Sequence, residues 1–243
     1  GECPPSGPKA RPTEECLSYF PPKKRAVYRL RPIRVVGCTG GNGELVRNGP
    51  RGGKRVALTF DDGPSDYTPE VLHILKRKEV KATFFMLGQQ VTRYPSYARR
   101  VLALGHEIGN HSYDHALLPV SSDIRHTNRS IIQATHFRPC LFRPPYGAVS
   151  SSLVASARAA RMKVVDWDVD TTDWKLPGAG YIKSNVLGNA HSGSIVLMHD
   201  GGGPRSQTVE ALPGIIDGLR GRGYRLVTVS QLLGNRMIYR PVP

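Results

Sequence analysis

From Lys54 onward the chain repeats one pattern. A short apolar run is followed by polar residues at its end and then by an amphipathic stretch. The runs are RVALTF (55–60), ATFFML (82–87), HEIG (106–109), CLFR (140–143), KVVDWDV (163–169), SIVLM (194–198) and YRLVTV (224–229). Helix-like stretches lie between them at 68–79, 91–104, 121–135, 151–161, 180–190 and 207–221. In the first, Thr68-Pro69 supplies a cap and a first-turn proline, and Val71, Leu72 and Leu75 share a face. Gly105 and Gly223 stand just past two expected helix ends, where a left-handed residue closes the last turn. Strands alternating with helices imply parallel pairing, in a doubly wound sheet or a barrel. The region is short for a complete eight-fold barrel, which takes about 250 residues. The expectation is an α/β fold, a distorted (β/α) barrel of about seven strands.

The flanks differ in texture. Residues 1–53 are expected to form a basic, irregular, Pro/Gly-rich extension. Six prolines fall within 1–24, a short strand within 26–37 is interrupted by Pro32, and the Gly/Asn-rich stretch 39–53 resembles a linker. Residues 54–234 are read as one domain and 235–243 as a C-terminal tail. Lys and Arg number 34 against 19 Asp and Glu, a net charge of +15. Of this, +8 falls in residues 1–55, with twelve basic and four acidic side chains. Such a chain attracts polyanions, among them anionic cell-wall polymers.

Four cysteines, Cys3, Cys16, Cys38 and Cys140, form no CxxC and have no zinc-finger spacing. Their even number suits a pair of disulfides in an exported protein, and the spacing does not choose among the three pairings. No apolar run reaches the ~18–20 residues of a membrane-spanning helix. The chain opens on Gly1 without an apolar leader, which suggests a mature or trimmed form. A secreted or cell-wall-associated protein on the bacterial exterior is expected.

The chemistry-bearing residues stand just after the apolar runs, at the strand ends where parallel α/β folds place their sites. They are Asp61-Asp62-Gly63-Pro64, Asn110-His111 with His115, Arg143 with Pro144-Pro145-Tyr146-Gly147, Asp170 with Asp173-Trp174, and His199-Asp200. Each alone has an ordinary explanation: Asp-Asp before Gly-Pro is a common turn, and a strand-end histidine is usually a hydrogen-bonded structural group. Independent turns, however, do not bring a carboxylate pair, a histidine pair, an arginine and a strand-end histidine to one rim. Two imidazoles four residues apart project from the same side of a turn. With one carboxylate they make a three-point set that leaves positions open on a metal. The second carboxylate can serve as a base and His199 as an acid, the parts of a metal-assisted hydrolase.

TFDDGP (59–64), HSYDH (111–115), RPPYG (143–147), DTTDW (170–174) and LMHD (197–200) resemble, in order, the five motifs of the polysaccharide deacetylases. That family is the NodB-homology domain, or carbohydrate esterase family four. The resemblance covers about 54–234, three quarters of the chain. It implies that Asp62, His111 and His115 bind a divalent metal, zinc first, with cobalt or nickel also acceptable. It implies that Asp61 is the general base, held by Arg143, and that the backbone N–H of Tyr146 stabilises the oxyanion. His199 would be the general acid, with Asp170 keeping its imidazolium populated. Tyr146, Trp174 and Leu197 would contact substrate, Trp174 in the sugar groove and Leu197 at the acetyl methyl. His106 and the other histidines remain structural.

The activity so implied is metal-dependent hydrolysis of acetyl groups on an N-acetylated polysaccharide. N-acetylglucosamine of peptidoglycan ranks first, because an anionic wall suits a basic chain. Chitooligosaccharide deacetylation and acetylxylan de-esterification follow. A reading from another class, a basic cell-surface or nucleic-acid-binding protein, finds no zinc finger, helix-turn-helix or aromatic RNA-reading motif. Nucleic acid is therefore not an expected partner, and a monomer is expected.

Overall fold

The computed structural model describes residues 33–241. Strand β1 (Ile33–Cys38) is followed by β2 (Leu45–Val46) and β3 (Arg55–Asp61). After the first residue β3 is buried throughout, because a central parallel strand is covered on both faces and so reads as an unbroken apolar run. Helix α1 (Thr68–Arg77) then buries Val71, Leu72 and Leu75 against the sheet, with proline in its first turn. Strand β4 (Thr83–Met86) leads into α2 (Gly88–Arg93) and α3 (Pro95–Ala103). A single helix was expected over 91–104; it is broken at Tyr94, whose backbone (φ −125°, ψ 55°) is not helical. Pro95 is the reason, since it restricts the preceding residue and cannot continue a helical hydrogen-bond ladder.

The remaining elements are β5 (Glu107–Asn110), α4 (Ser121–Thr135), β6 (Leu141–Phe142), α5 (Ser151–Ala159), β7 (Lys163–Val165), β8 (Val169–Asp170), α6 (Ala179–Asn189), β9 (Ile195–His199), α7 (Ser206–Gly221), β10 (Arg225–Val227), α8 (Val229–Leu233) and β11 (Met237–Pro241). The main sheet runs β2-β7-β6-β5-β4-β3-β9-β8, with β10 also on β3. Every pair in it is parallel. Gly105 and Gly223 adopt positive φ, as their places after helix ends require.

The expected strand 163–169 is in fact two. β7 and β8 lie near opposite ends of the sheet path, yet only Asp166, Trp167 and Asp168 join them. So short a link cannot cross a flat sheet of this width, so the sheet must curl until its ends meet. The link carries the hydrogen bonds of a crossing chain. Asp166 N–H donates to Val46 O, whereas Asp168 N–H donates to Ile195 O. The result is a distorted parallel barrel, eight strands along its path rather than seven.

The N-terminal boundary also moves. The compact unit spans Arg34–Arg240, so the expected linker 39–53 belongs to it. β2 pairs with β7, and Gly41 N–H donates to Arg161 O. The stretch looked like a linker because its contribution is backbone hydrogen bonding, which leaves no periodic side-chain pattern. The expected tail contains β11, which pairs with β1 in a separate two-stranded sheet. Cys38 and Cys140 form a disulfide, Cα atoms 5.7 Å apart and 102 residues distant in sequence. Cys3 and Cys16 lie outside the described residues. Among the described residues no helix is long and apolar enough to cross a membrane.

Candidate active site

The parallel sheet delivers its C-terminal ends to one rim, which encloses a cavity of about 640 Å³. β3 ends at Asp61, buried on the cavity wall. Its Oδ1 accepts a 2.7 Å bond from Arg143 Nη1, and its Oδ2 lies 3.6 Å from His111 Nε2. Asp62 follows with φ 72°, a left-handed turn that sends its side chain away from the direction of its neighbour. Two adjacent carboxylates thereby serve different partners.

Asp62 Oδ1 stands 3.4 Å from both His111 Nε2 and His115 Nε2. It is buried without a partner of proper hydrogen-bond geometry. One ligand atom from each of the three residues falls within 4.8 Å of the others. His111 Nδ1 contacts Arg143 O at 2.8 Å, and a carbonyl can only accept, so Nδ1 carries the proton and Nε2 presents a lone pair inward. His115, at φ 65°, closes the set, its ring edge-on to Tyr146. An orphaned carboxylate oxygen facing two imidazole nitrogens fits a divalent cation.

The charges agree. Burial alone would raise the Asp62 carboxyl, but the His111 contact and the charges of His111, His199 and His115 hold it below the usual carboxylate range. Burial disfavours charge on His111, yet Asp61 and Asp62 draw its pKa upward. The same negative field attracts a metal ion, which would displace that proton. His115 is lowered, chiefly by burial.

Arg143 follows β6 and is fully buried. Nε donates to Val165 O, Nη1 to Thr59 Oγ1 and Asp61, and Nη2 to Asp166 O, while the guanidinium lies 4.1 Å from the Phe85 ring centroid. The clamp is built from residues of β3, β4 and β7 and the one that follows β7, so Asp61 sits in a frame of sheet backbone and side chains. Tyr146 occupies a left-handed position (φ 59°) in the turn Pro145–Gly147 and is an exposed residue on the cavity wall. Trp174, half exposed, and Leu197, buried in β9, also line the cavity.

His199 ends β9 and lines the cavity. Its partner corrects the sequence reading: it is Asp173, not Asp170. Asp173 Oδ1 lies 2.6 Å from His199 Nδ1, and Oδ2 accepts from His199 N–H at 2.9 Å and Thr208 Oγ1 at 2.7 Å. Asp170 Oδ1 instead accepts from Thr172 N–H at 2.8 Å, closing a turn of its own on the cavity wall. Thr172 is left-handed there (φ 51°), and this reversal carries Asp173 beneath the imidazole. Burial opposes the His199 charge, but the Asp173 hydrogen bond and charge, helped by Asp61 and Asp62, raise its pKa. Asp173 is lowered in return, its bonds to His199 outweighing burial.

The rim therefore holds a carboxylate fixed by arginine, three residues grouped as a metal ion would need them and a histidine–aspartate pair, all beside one cavity. The polysaccharide deacetylase family is matched over residues 48–165. A peptidoglycan-N-acetylglucosamine deacetylase of Bacillus cereus is 45% identical over 193 residues, covering 76% of this chain and 90% of its own. The chain belongs to the polysaccharide deacetylase family. Its relative PgdA of Listeria monocytogenes, also a peptidoglycan-N-acetylglucosamine deacetylase, is 41% identical, and there the match spans 40% of the longer protein. Among solved structures, the peptidoglycan N-acetylglucosamine deacetylase Bc1960, in complex with 4-naphthalen-1-yl-N-oxidanyl-benzamide, superposes with a TM-score of 0.76 at 38% identity. That likeness covers 78% of this chain and 92% of the other.

Several cavity residues escaped the sequence reading. Leu87, Gln89, Gln90, Trp167, Gly202 and Arg205 also line it. Gln89 and Gln90 carried no signal, standing at the start of an ordinary helix. Asp173 carried one, since it lies in the same DTTDW segment as Asp170, but the choice between them depends on the turn at Thr172.

Proposed function

We propose that this polysaccharide deacetylase hydrolyses the N-acetyl group of N-acetylglucosamine residues in peptidoglycan, using zinc, as a monomer outside the bacterial cell. The observation that carries the reading is the unpartnered Asp62 Oδ1 between His111 Nε2 and His115 Nε2, beside the Arg143-held Asp61. Asp62, His111 and His115 would hold the cation. Its contribution is Lewis-acid polarisation of the acetyl carbonyl and of water.

The chain's own residues divide the proton work. Arg143 occupies Asp61 Oδ1, which leaves Oδ2 to accept the proton of the attacking water. The backbone N–H of Tyr146 would donate to the oxygen that gains charge. Asp173 fixes the Nδ1 side of His199, which leaves Nε2 to hand a proton to the departing amine. The raised pKa of His199 suits this acid role, since the ring must enter the step protonated. Trp174 offers a face for a pyranose ring, and Leu197 an apolar wall for the acetyl methyl.

The net charge of +15 supports a wall polymer bearing carboxylates and phosphates over neutral chitin or xylan. The basic N-terminal region supports anchoring to such a wall, and the Cys38–Cys140 disulfide supports an oxidising exterior. The test is acetate release from peptidoglycan, chitooligosaccharides and acetylxylan, after EDTA treatment and again after addition of zinc or cobalt. Loss in EDTA with recovery on zinc, and preference for peptidoglycan, is the expected outcome. Full activity in chelator would remove the metal role, and a preference for acetylxylan would remove the substrate.

A further inference from the structure

Arg205 is the only arginine or lysine that lines the cavity among the described residues. It is 4% exposed and makes no ion pair with any described carboxylate. All its partners are neutral. Nε donates to Gly201 O at 2.7 Å, Nη1 to Pro204 O at 2.9 Å and Nη2 to Gly202 O at 3.1 Å. A guanidinium has five N–H bonds in a planar fork, so these three leave one N–H on each terminal nitrogen. The contrast with Arg143 is sharp, because that equally buried arginine is neutralised by Asp61. A desolvated cation held only by carbonyl dipoles lacks a countercharge. The other charged side chains of the wall are Asp61, which pairs with Arg143, Asp62, which faces the two histidines, Asp170, and His199, which pairs with Asp173.

We propose that Arg205 takes a carboxylate of the substrate glycan, such as the free lactyl carboxylate of an N-acetylmuramic acid residue that carries no stem peptide, and so sets a preference for glycan strands bearing that acid over neutral ones. This rests on the peptidoglycan reading and deepens it. Two N–H groups on one planar guanidinium match in number and chemistry the two oxygens of a carboxylate. The carbonyl clamp keeps the guanidinium from swinging, so the site is organised before substrate arrives.

The experiment compares kcat/KM for an oligosaccharide of alternating N-acetylglucosamine and N-acetylmuramic acid with that for the same oligosaccharide amidated at the lactyl carboxyl. It is run on the zinc-loaded full chain and on Arg205→Gln and Arg205→Lys. In the wild type the acid form is expected to exceed the amide by about 10-fold, the scale of a charge-assisted hydrogen bond. The ratio falls towards one in Arg205→Gln, carried by KM, and is partly restored in Arg205→Lys, which keeps the charge without the fork. A ratio unchanged in Arg205→Gln, even with total activity reduced, would make Arg205 a brace for the Gly201–Pro204 loop and overturn the proposal. The wild-type ratio is decisive even if the variants do not fold. Equal turnover of acid and amide overturns the role of Arg205 and leaves the glycan assignment standing. Turnover of neither, beside brisk turnover of chitooligosaccharides, overturns that assignment itself.

Discussion

The two ends of the barrel differ in whether their buried polar groups find opposite charges to pair with. At the base, His106, Glu107 and Thr83 sit at or beside strand starts, with Ser230 and the Cys38–Cys140 disulfide close by. Glu107 Oε2 accepts from Thr83 Oγ1 and Ser230 N–H, both at 3.0 Å. Burial pushes its pKa up, and the bonds from Ser230 and Thr83 only partly oppose this. His106 Nδ1 accepts from Ala82 N–H at 3.2 Å, and burial, with Lys81 nearby, lowers its pKa to about 4. Both groups are pushed towards their neutral forms. At the rim the outcome is mixed: Asp62 and Asp173 are held ionised and His199 is pulled towards its cation, whereas burial lowers His115 and pushes Asp200 up to about 7. The strands are the same, and the difference lies in what each end faces. Strand starts close on apolar packing, which disfavours charge. Strand ends open onto a cavity where opposite charges meet and sustain each other.

The contrast breaks first if Asp61→Asn is harmless. That variant should lose turnover by about 10²–10⁴-fold while keeping its metal, because base and ligand roles fall on different carboxylates. Turnover and zinc content measured on one preparation decide it, and loss of zinc would merge the two roles. At the base, replacing Cys38 and Cys140 together by alanine should lower stability by about 2–5 kcal/mol, read by urea unfolding. The kcat of the folded variant should stay near that of the wild type. A large fall in kcat would mean that the ends are coupled.

His106 sharpens the comparison through pH. Its folded pKa of about 4 lies below the ordinary 6.5, so between those values the unfolded chain binds the extra proton. Its contribution is therefore present above pH 6.5 and lost as pH falls through 4, up to about 3 kcal/mol. Glu107, raised, has the opposite sign, its contribution being present below the ordinary carboxylate pKa and lost as pH rises. His106→Gln should flatten the acid limb of a stability–pH curve. An unchanged limb would assign that limb to other groups.

The smallest effect separates two aspartates of the rim. Asp173→Asn should lower kcat by about 10- to 100-fold and shift the limb of the pH profile that reports His199. Asp170→Asn should leave that limb in place. The reverse order would restore Asp170 as the partner of His199.

The alternation of apolar runs and amphipathic stretches determined the parallel α/β class, and the residues after each run determined which side chains would meet. Both are local: burial on both faces makes a strand apolar, and chain direction puts its functional group at its C-terminal end. Asp61, Asp62, His111, His115, Arg143 and His199 were legible for that reason. Tertiary structure alone decided matters that depend on distant partners. The split of 163–169 follows from sheet closure, which no segment of the chain encodes by itself. The inclusion of 39–53 follows from backbone bonds to residues more than a hundred positions away. Asp173 displaced Asp170 because one left-handed turn at Thr172 redirects the chain. Arg205 became visible only when its surroundings showed a buried charge with no opposite charge beside it.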